Sequence, residues 1–167
     1  IRVRRENMKN DELEIVYRQY YRQLFIYAFS LTQNKEDAED LVANTFVKAL
    51  LSFEEGNIKS WLYIVLRNEF MNMYKKRNRL VSYDFENTEG TLAVIQDFIK
   101  SEEKIWLYQK INELPQREKE IMLLSLQSDF DDQTISHIMK MSIENVRVIR
   151  HRVKRKLIEL CQKEGYL

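Results

Sequence analysis

Asp37, Glu39 and Asp40 are three carboxylates within four positions, and carboxylates so close can share acid–base work or hold a cation. No histidine and no further acidic cluster joins them. The two histidines, His137 and His151, lie far from that cluster, and with the single cysteine, Cys161, they make no metal set. An acidic face that meets another protein is the reading these residues favour. The second group is basic. Arg67 to Arg79 carries five basic residues against one acidic, Glu69, and Ile143 to Leu160 carries six against two. Between them, Ser82 to Ile99 holds four acidic residues and no basic one, a pattern that the net charge of +1 conceals. Two positive patches across an acidic connector suit a protein that touches nucleic acid at two places, whereas solvated helix faces are the plainer reading of either patch alone. His151 falls within the second patch, as a donor facing nucleic acid; His137 is read as surface.

The elements that position these groups are helical. With 3 Gly and 1 Pro in 167 residues and 32% of them charged, the composition favours long helices over a turn-rich β fold. The chain is long enough to bury a core as one domain or two small ones. Its apolar runs are far shorter than a membrane span, no signal peptide opens it, and one cysteine excludes an internal disulfide and fits a reducing cytoplasm.

Residues 1–7 show no periodicity and read as a basic arm or an upstream extension. Asp11 and Glu14 resemble a capping box that starts a helix, after which Leu13, Val16, Tyr17, Tyr20, Leu24, Tyr27, Ala28 and Leu31 keep helical spacing. The tyrosines, Tyr21 among them, read as packing with hydroxyls at the rim. Asn34 ends that helix and caps the next, Lys35 to Leu51, whose inward stripe is Ala38, Leu41, Val42, Thr45, Phe46, Ala49 and Leu50. A loop from Ser52 to Ser60 contains Glu55-Gly56-Asn57. The third helix, Ile58 to Arg79, buries Ile58, Leu62, Val65, Leu66 and Met73, takes Trp61 into its core, and turns Arg67, Asn68, Asn72, Lys75 and Arg79 outward. These three helices form one bundle over residues 1–80. Residues 81–96 read as an acidic linker, because the stripe is lost there.

In residues 97–167 helical spacing returns over Asp97–Leu114, with Leu107, Ile111 and Leu114 inward. Pro115 opens a helix through Gln127. After the turn Ser128–Asp132 come a short helix to Met139, a tight connection at Lys140-Met141-Ser142, and a last helix to Gln162. This is a helix-turn-helix pattern. Ile135, Ile138 and Met141 face inward from its first half; Val146, Ile149, Val153, Leu157 and Leu160 do so from its second. Glu144, Asn145, Arg147, Val148, His151 and Arg152 are left on the outer face of the second helix, where base edges are read. Cys161 is most simply a small apolar residue.

Two stretches carry a family resemblance. DAEDLV-x-x-TF-x-x-AL followed by WLY-x-x-x-RN, within Asp37 to Asn68, resembles domain two of bacterial RNA polymerase sigma factors. LPQREKEIMLL followed by TISHIMKMSIENVRVIRHRVKRKL resembles their domain four. The two follow in family order across a linker of family size, without the domain three of larger sigma factors, which is the layout of the extracytoplasmic-function (ECF) group. The resemblance implies an all-α chain with no cofactor that breaks or makes no bond. It also implies a cytoplasmic place, core polymerase and promoter DNA as partners, and an anti-sigma factor, membrane-anchored or not.

The resemblance also assigns residues. Asp37, Asp40, Leu41, Ala43, Asn44 and Phe46 should dock on the clamp helices of the polymerase's largest subunit. Ser52, Phe53, Glu55, Gly56, Asn57, Lys59 and Ser60, with Arg67, Asn68, Asn72 and Lys75, should bind the −10 element as single strand. Ser142, Glu144, Asn145, Arg147, Val148, His151, Arg152 and Arg155 should read the −35 duplex while domain four rests on the flap. The acidic linker should thread the active-site and exit channels. Three positions depart from the family pattern: Ala43-Asn44 replaces the common Gln-Glu, Lys140 stands where glycine is usual in the turn, and Ser136 where alanine is. A helix-turn-helix regulator that works without polymerase is the rival reading, and it leaves Asp37–Asn68 unexplained.

Overall fold

The computed structural model describes residues 10–78, 91–126 and 128–166. Among them are eight α-helices and no strand: α1 (Asn10–Thr32), α2 (Lys35–Ser52), α3 (Ile58–Asn78), α4 (Thr91–Phe98), α5 (Glu102–Asn112), α6 (Gln116–Leu126), α7 (Asp132–Met139) and α8 (Ile143–Lys163). The chain divides into two compact units, Ile1–Glu86 and Asn87–Leu167. The fold is all-α, as the composition requires.

In the first unit, α1, α2 and α3 pack on one another. The Asn34 side chain accepts the Asp37 N–H at 3.0 Å, so the two-residue break after Thr32 is capped and α2 folds back on α1. Leu24, Phe25, Tyr27, Ala28 and Leu31 of α1 meet the inward stripe of α2 and Leu62, Tyr63, Leu66 and Phe70 of α3 in the core. The Tyr27 and Tyr63 rings lie 5.2 Å apart. Thr45 is buried too, and its hydroxyl donates to the Leu41 carbonyl at 2.7 Å, which removes the cost of burying it.

Several expectations change. Asp11 does not cap α1; the helix already runs at Asn10, so Asp11 lies in its first turn with Glu12, and Glu14 pairs with Arg18 instead. Leu13, Val16 and Tyr20 are only half-buried and Tyr17 is exposed. At 23 residues α1 outruns the 18 of α2, to which it is joined at the other end, so its first turns overhang. Ile58, Val65, Met73 and Trp61 are half-buried; Tyr63 and Phe70 take the interior places. Trp61 meets the Phe53 ring edge-on at 5.5 Å.

In the second unit the supposed linker is partly helix. Residues 91–98 form α4, which packs on α5, and Ile95 and Ile99 are buried. The single expected helix from Asp97 is broken at 99–101, where the Ser101 side chain caps α5. Residues 1–7, the acids Asp84, Glu86 and Glu89, Arg79 and Gln127 lie outside the described residues. The core gathers Trp106 and Ile111 from α5, Ile121 to Leu124 from α6, Ile135, Ile138 and Met139 from α7, and Val146, Ile149, Val153 and Leu157 from α8. Leu107, Met141 and Leu160, expected inward, are half-buried. At the end of α8 the Glu164 carboxylate accepts the Trp106 indole N–H, and the Tyr166 ring lies 4.9 Å from that of Trp106. Lys119 is buried in α6, and desolvation pushes its ammonium pKa down while the neighbouring Glu120 opposes the shift.

Candidate functional site

The acidic side of α2 splits into two environments. Asp37 is 14% exposed and accepts both terminal nitrogens of Arg77, at 2.5 and 2.8 Å, which ties the start of α2 to the end of α3. Asp40, Ala43 and Asn44 are exposed. Leu41 and Phe46, named with them for the clamp, are 3% and 4% exposed, so their side chains belong to the core and offer no surface. The correction follows from their own spacing, because both also belong to the inward stripe. In their place the outer face continues through Val47 and Leu51, which are 54% and 65% exposed. Sequence reasoning missed these two, although 40, 43, 44, 47 and 51 repeat at three and four residues as the inward stripe does.

The stretch between α2 and α3 is shorter than expected. Ser52 is the last residue of α2, and Lys59 and Ser60 are in the first turn of α3, leaving 53–57 as the loop. Gly56 has φ +104°, a conformation that costs glycine nothing and other residues a good deal. Asn57 closes the loop by accepting the Ser60 N–H at 3.0 Å. Glu55, Gly56 and Asn57 are exposed, while Phe53 is held half-buried against Trp61. On α3, Asn72 and Lys75 are exposed, and Arg67 and Asn68 half-buried. Loop and helix face thus supply polar and basic groups from adjoining segments.

The helix-turn-helix is built as its pattern implies. Asp131 caps α7 by accepting the Thr134 N–H at 2.8 Å, and bonds from the Thr134 side chain and backbone lower its carboxyl pKa. Ser142 caps α8, its oxygen 3.2 Å from the Asn145 nitrogen. Lys140 adopts the left-handed conformation, φ 55° and ψ 49°, that glycine fills in the family pattern. Ser136 secures this turn: its carbonyl accepts the Lys140 and Met141 N–H groups, and its hydroxyl donates to the Met141 carbonyl at 2.6 Å. An alanine could not make the last bond.

Ser142, Glu144, Asn145, Arg147, Val148, His151, Arg152 and Arg155 are all exposed, and the last five border one shallow groove along α8. The hydroxyl of Ser142 is already occupied by its cap. Three arginines are engaged within the unit: Arg147 and Arg150 with Asp132, and Arg152 with Glu118 at 2.6 Å. Sequence reasoning missed both carboxylates, because their partners lie on a separate helix. Among the described residues no group of three His, Cys, Asp or Glu could hold a metal ion, and no helix is long and apolar enough to cross a membrane. What the two units present is charge and hydrogen-bonding surface along helices, suited to polyanions and to protein faces.

Comparison with known proteins agrees with this geometry. Residues 16–80 match the family model of sigma-70 region 2, which spans nearly all of α1 to α3. The RNA polymerase sigma factor YlaC of Bacillus subtilis is 29% identical over 88% of this chain and 90% of its own length. SigV of the same organism is 31% identical over 78% of this chain and 77% of its own. Among solved structures, the sigma factor RpoE of Bartonella quintana, crystallised with the anti-sigma factor NepR, is similar with a TM-score of 0.66 and 26% identity, covering 91% of this chain and 98% of that one. Likeness of this extent runs through both units, and the chain belongs to the ECF group of RNA polymerase sigma factors, alternative sigma factors that direct transcription initiation.

Proposed function

We propose a division of that work among the surfaces described above. Asp40, Ala43 and Asn44, continued by Val47 and Leu51, form the face of α2 that docks on the polymerase clamp helices. Asp37 supports this face from within through Arg77. The loop 53–57, the first turn of α3 and the face with Arg67, Asn68, Asn72 and Lys75 take the −10 element as unpaired strand, where stacking and backbone contacts offset the cost of opening the duplex. The outer face of α8 reads the −35 duplex in the major groove while its unit rests on the flap. The relative crystallised with an anti-sigma factor supports a partner of that kind for this chain, anchored in a membrane or free, acting on it in the cytoplasm.

The observation that carries this reading is the separation on α2: one stripe is committed to the core, and the opposite face holds an exposed acid followed by exposed apolar side chains. The test is Asp40→Lys. An exposed helix position away from caps changes stability by under about 0.5 kcal/mol, so the melting midpoint should hardly move. Against basic groups on the clamp, a reversed charge meets like charge, at a cost of several kcal/mol. Capture of core polymerase and transcription should therefore be lost. Unimpaired capture by the folded variant would remove this face from the proposal.

A further inference from the structure

Asp132 opens α7, yet its side chain serves α8. Arg147 donates its Nε–H to Asp132 Oδ2 at 3.2 Å, and Arg150 Nη1 lies 3.1 Å from Oδ1. The carboxylate is 15% exposed and the Arg147 side chain 67%, so the acid sits at the base of the pair and the guanidinium reaches outward. Which nitrogen is used matters. A guanidinium held by Nε keeps both terminal nitrogens available, and these are a pair that can form two parallel hydrogen bonds to the O6 and N7 of guanine. Arg152 differs, because one of its terminal nitrogens is bonded to Glu118. Fixing a long side chain before binding also removes part of the entropy that binding would otherwise cost. With one carboxylate between two guanidiniums, the cluster keeps a net positive charge toward a phosphate backbone.

We propose that Asp132 is a positioning residue for promoter specificity. It holds the Arg147 guanidinium by its Nε edge so that the terminal fork reads one base pair of the −35 duplex, and it touches no DNA itself. This rests on the reading of α8 as the −35 helix.

The experiment uses the full chain assembled with core polymerase and a promoter library randomised across the −35 element, with binding read by sequencing at two salt concentrations. Arg147→Ala should abolish preference at one position, by about tenfold, the scale of a bidentate arginine–base contact. Asp132→Asn should relax preference at that same position and at no other. The double variant should add nothing to either. Should Asp132→Asn fail to fold, judged by a melting curve, the shorter Asp132→Ser carries the same expectation. Three results overturn the proposal and differ from one another. A uniform gain in affinity on loss of Asp132, with steeper salt dependence, would make the acid a competitor of phosphate. An unchanged profile without Asp132, while Arg147→Ala alters it, would leave Arg147 as the reader and remove the positioning role. An unchanged profile in Arg147→Ala would remove the base contact on which both depend.

Discussion

Asp37 and Asp40 lie one helical turn apart on α2, and their neighbours give opposite expectations for the two. Asp37 receives a two-pronged bond from Arg77 and is mostly shielded from water, whereas Asp40 is exposed. Removing Asp37 leaves a guanidinium that water can only partly satisfy, since Arg77 is 38% exposed. Exposed ion pairs contribute little, but a shielded bidentate one lies at the upper end, so Asp37→Ala should lower stability by about 1 kcal/mol. A double-mutant cycle with Arg77→Ala should assign most of that loss to the pair, and Asp40→Ala should cost less than half as much. Equal denaturant midpoints for Asp37→Ala and Asp40→Ala would contradict the pairing. From sequence alone both acids fall on the exposed side of the helix, because periodicity reports the angle of a residue and not its partners. The partner that distinguishes them is 40 residues away along the chain. Asp132 and Glu118 escaped notice for the same reason: their arginines are 15 and 34 residues distant.

At the scale of elements, what is local was legible. The caps Asn34, Asp131 and Ser142 each bond a backbone N–H three residues on, and such a bond needs no information beyond a few neighbours. The helix-turn-helix followed from them together with the apolar spacing. Two failures have a common origin. The eight residues of α4 give barely two turns of periodicity, and Ser101 stands within what looked like one continuous helix, so α4 was assigned to linker and coil. Tyr63 and Phe70 were passed over because neighbouring apolar residues left the inward face of α3 underdetermined. The turn between α7 and α8 gives a prediction at this scale. Lys140 holds a left-handed backbone, which costs a residue with a Cβ about 1 kcal/mol or more relative to glycine, and Ser136 fixes the turn in that form. Lys140→Gly should therefore raise stability by about 1 kcal/mol, after the greater unfolded-state freedom of glycine is deducted. Urea unfolding at constant m-value is the measurement, and a lower midpoint would show that Lys140 contributes contacts exceeding its strain.

For the whole molecule, net charge is a poor guide to association, because what matters is how many cations each surface can offer to phosphate. Of the six basic residues between Ile143 and Leu160, Arg147, Arg150 and Arg152 are already neutralised in part by Asp132 and Glu118, while Lys154, Arg155 and Lys156 are exposed. On α3, Arg77 is likewise engaged by Asp37, leaving Lys75 and Lys76 exposed near the helix end. A cation that already has a carboxylate partner gains less from displacing a counterion of DNA, so each unit alone makes few effective phosphate contacts. Each such contact changes the slope of log affinity against log salt by about 0.9. The free chain should therefore bind promoter duplex weakly and with a shallow slope, smaller than its count of basic residues suggests. Assembled with core polymerase, both units engage one promoter, and the slope should steepen as their contacts add. The measurement is fluorescence anisotropy of a labelled promoter across a salt series, with chain alone, core alone and both together. The excess slope of the assembly over core alone reports the contacts made by this chain. Tight, sequence-specific binding by the free chain as a dimer would contradict the expectation, since it would require contacts that these partly neutralised faces do not supply.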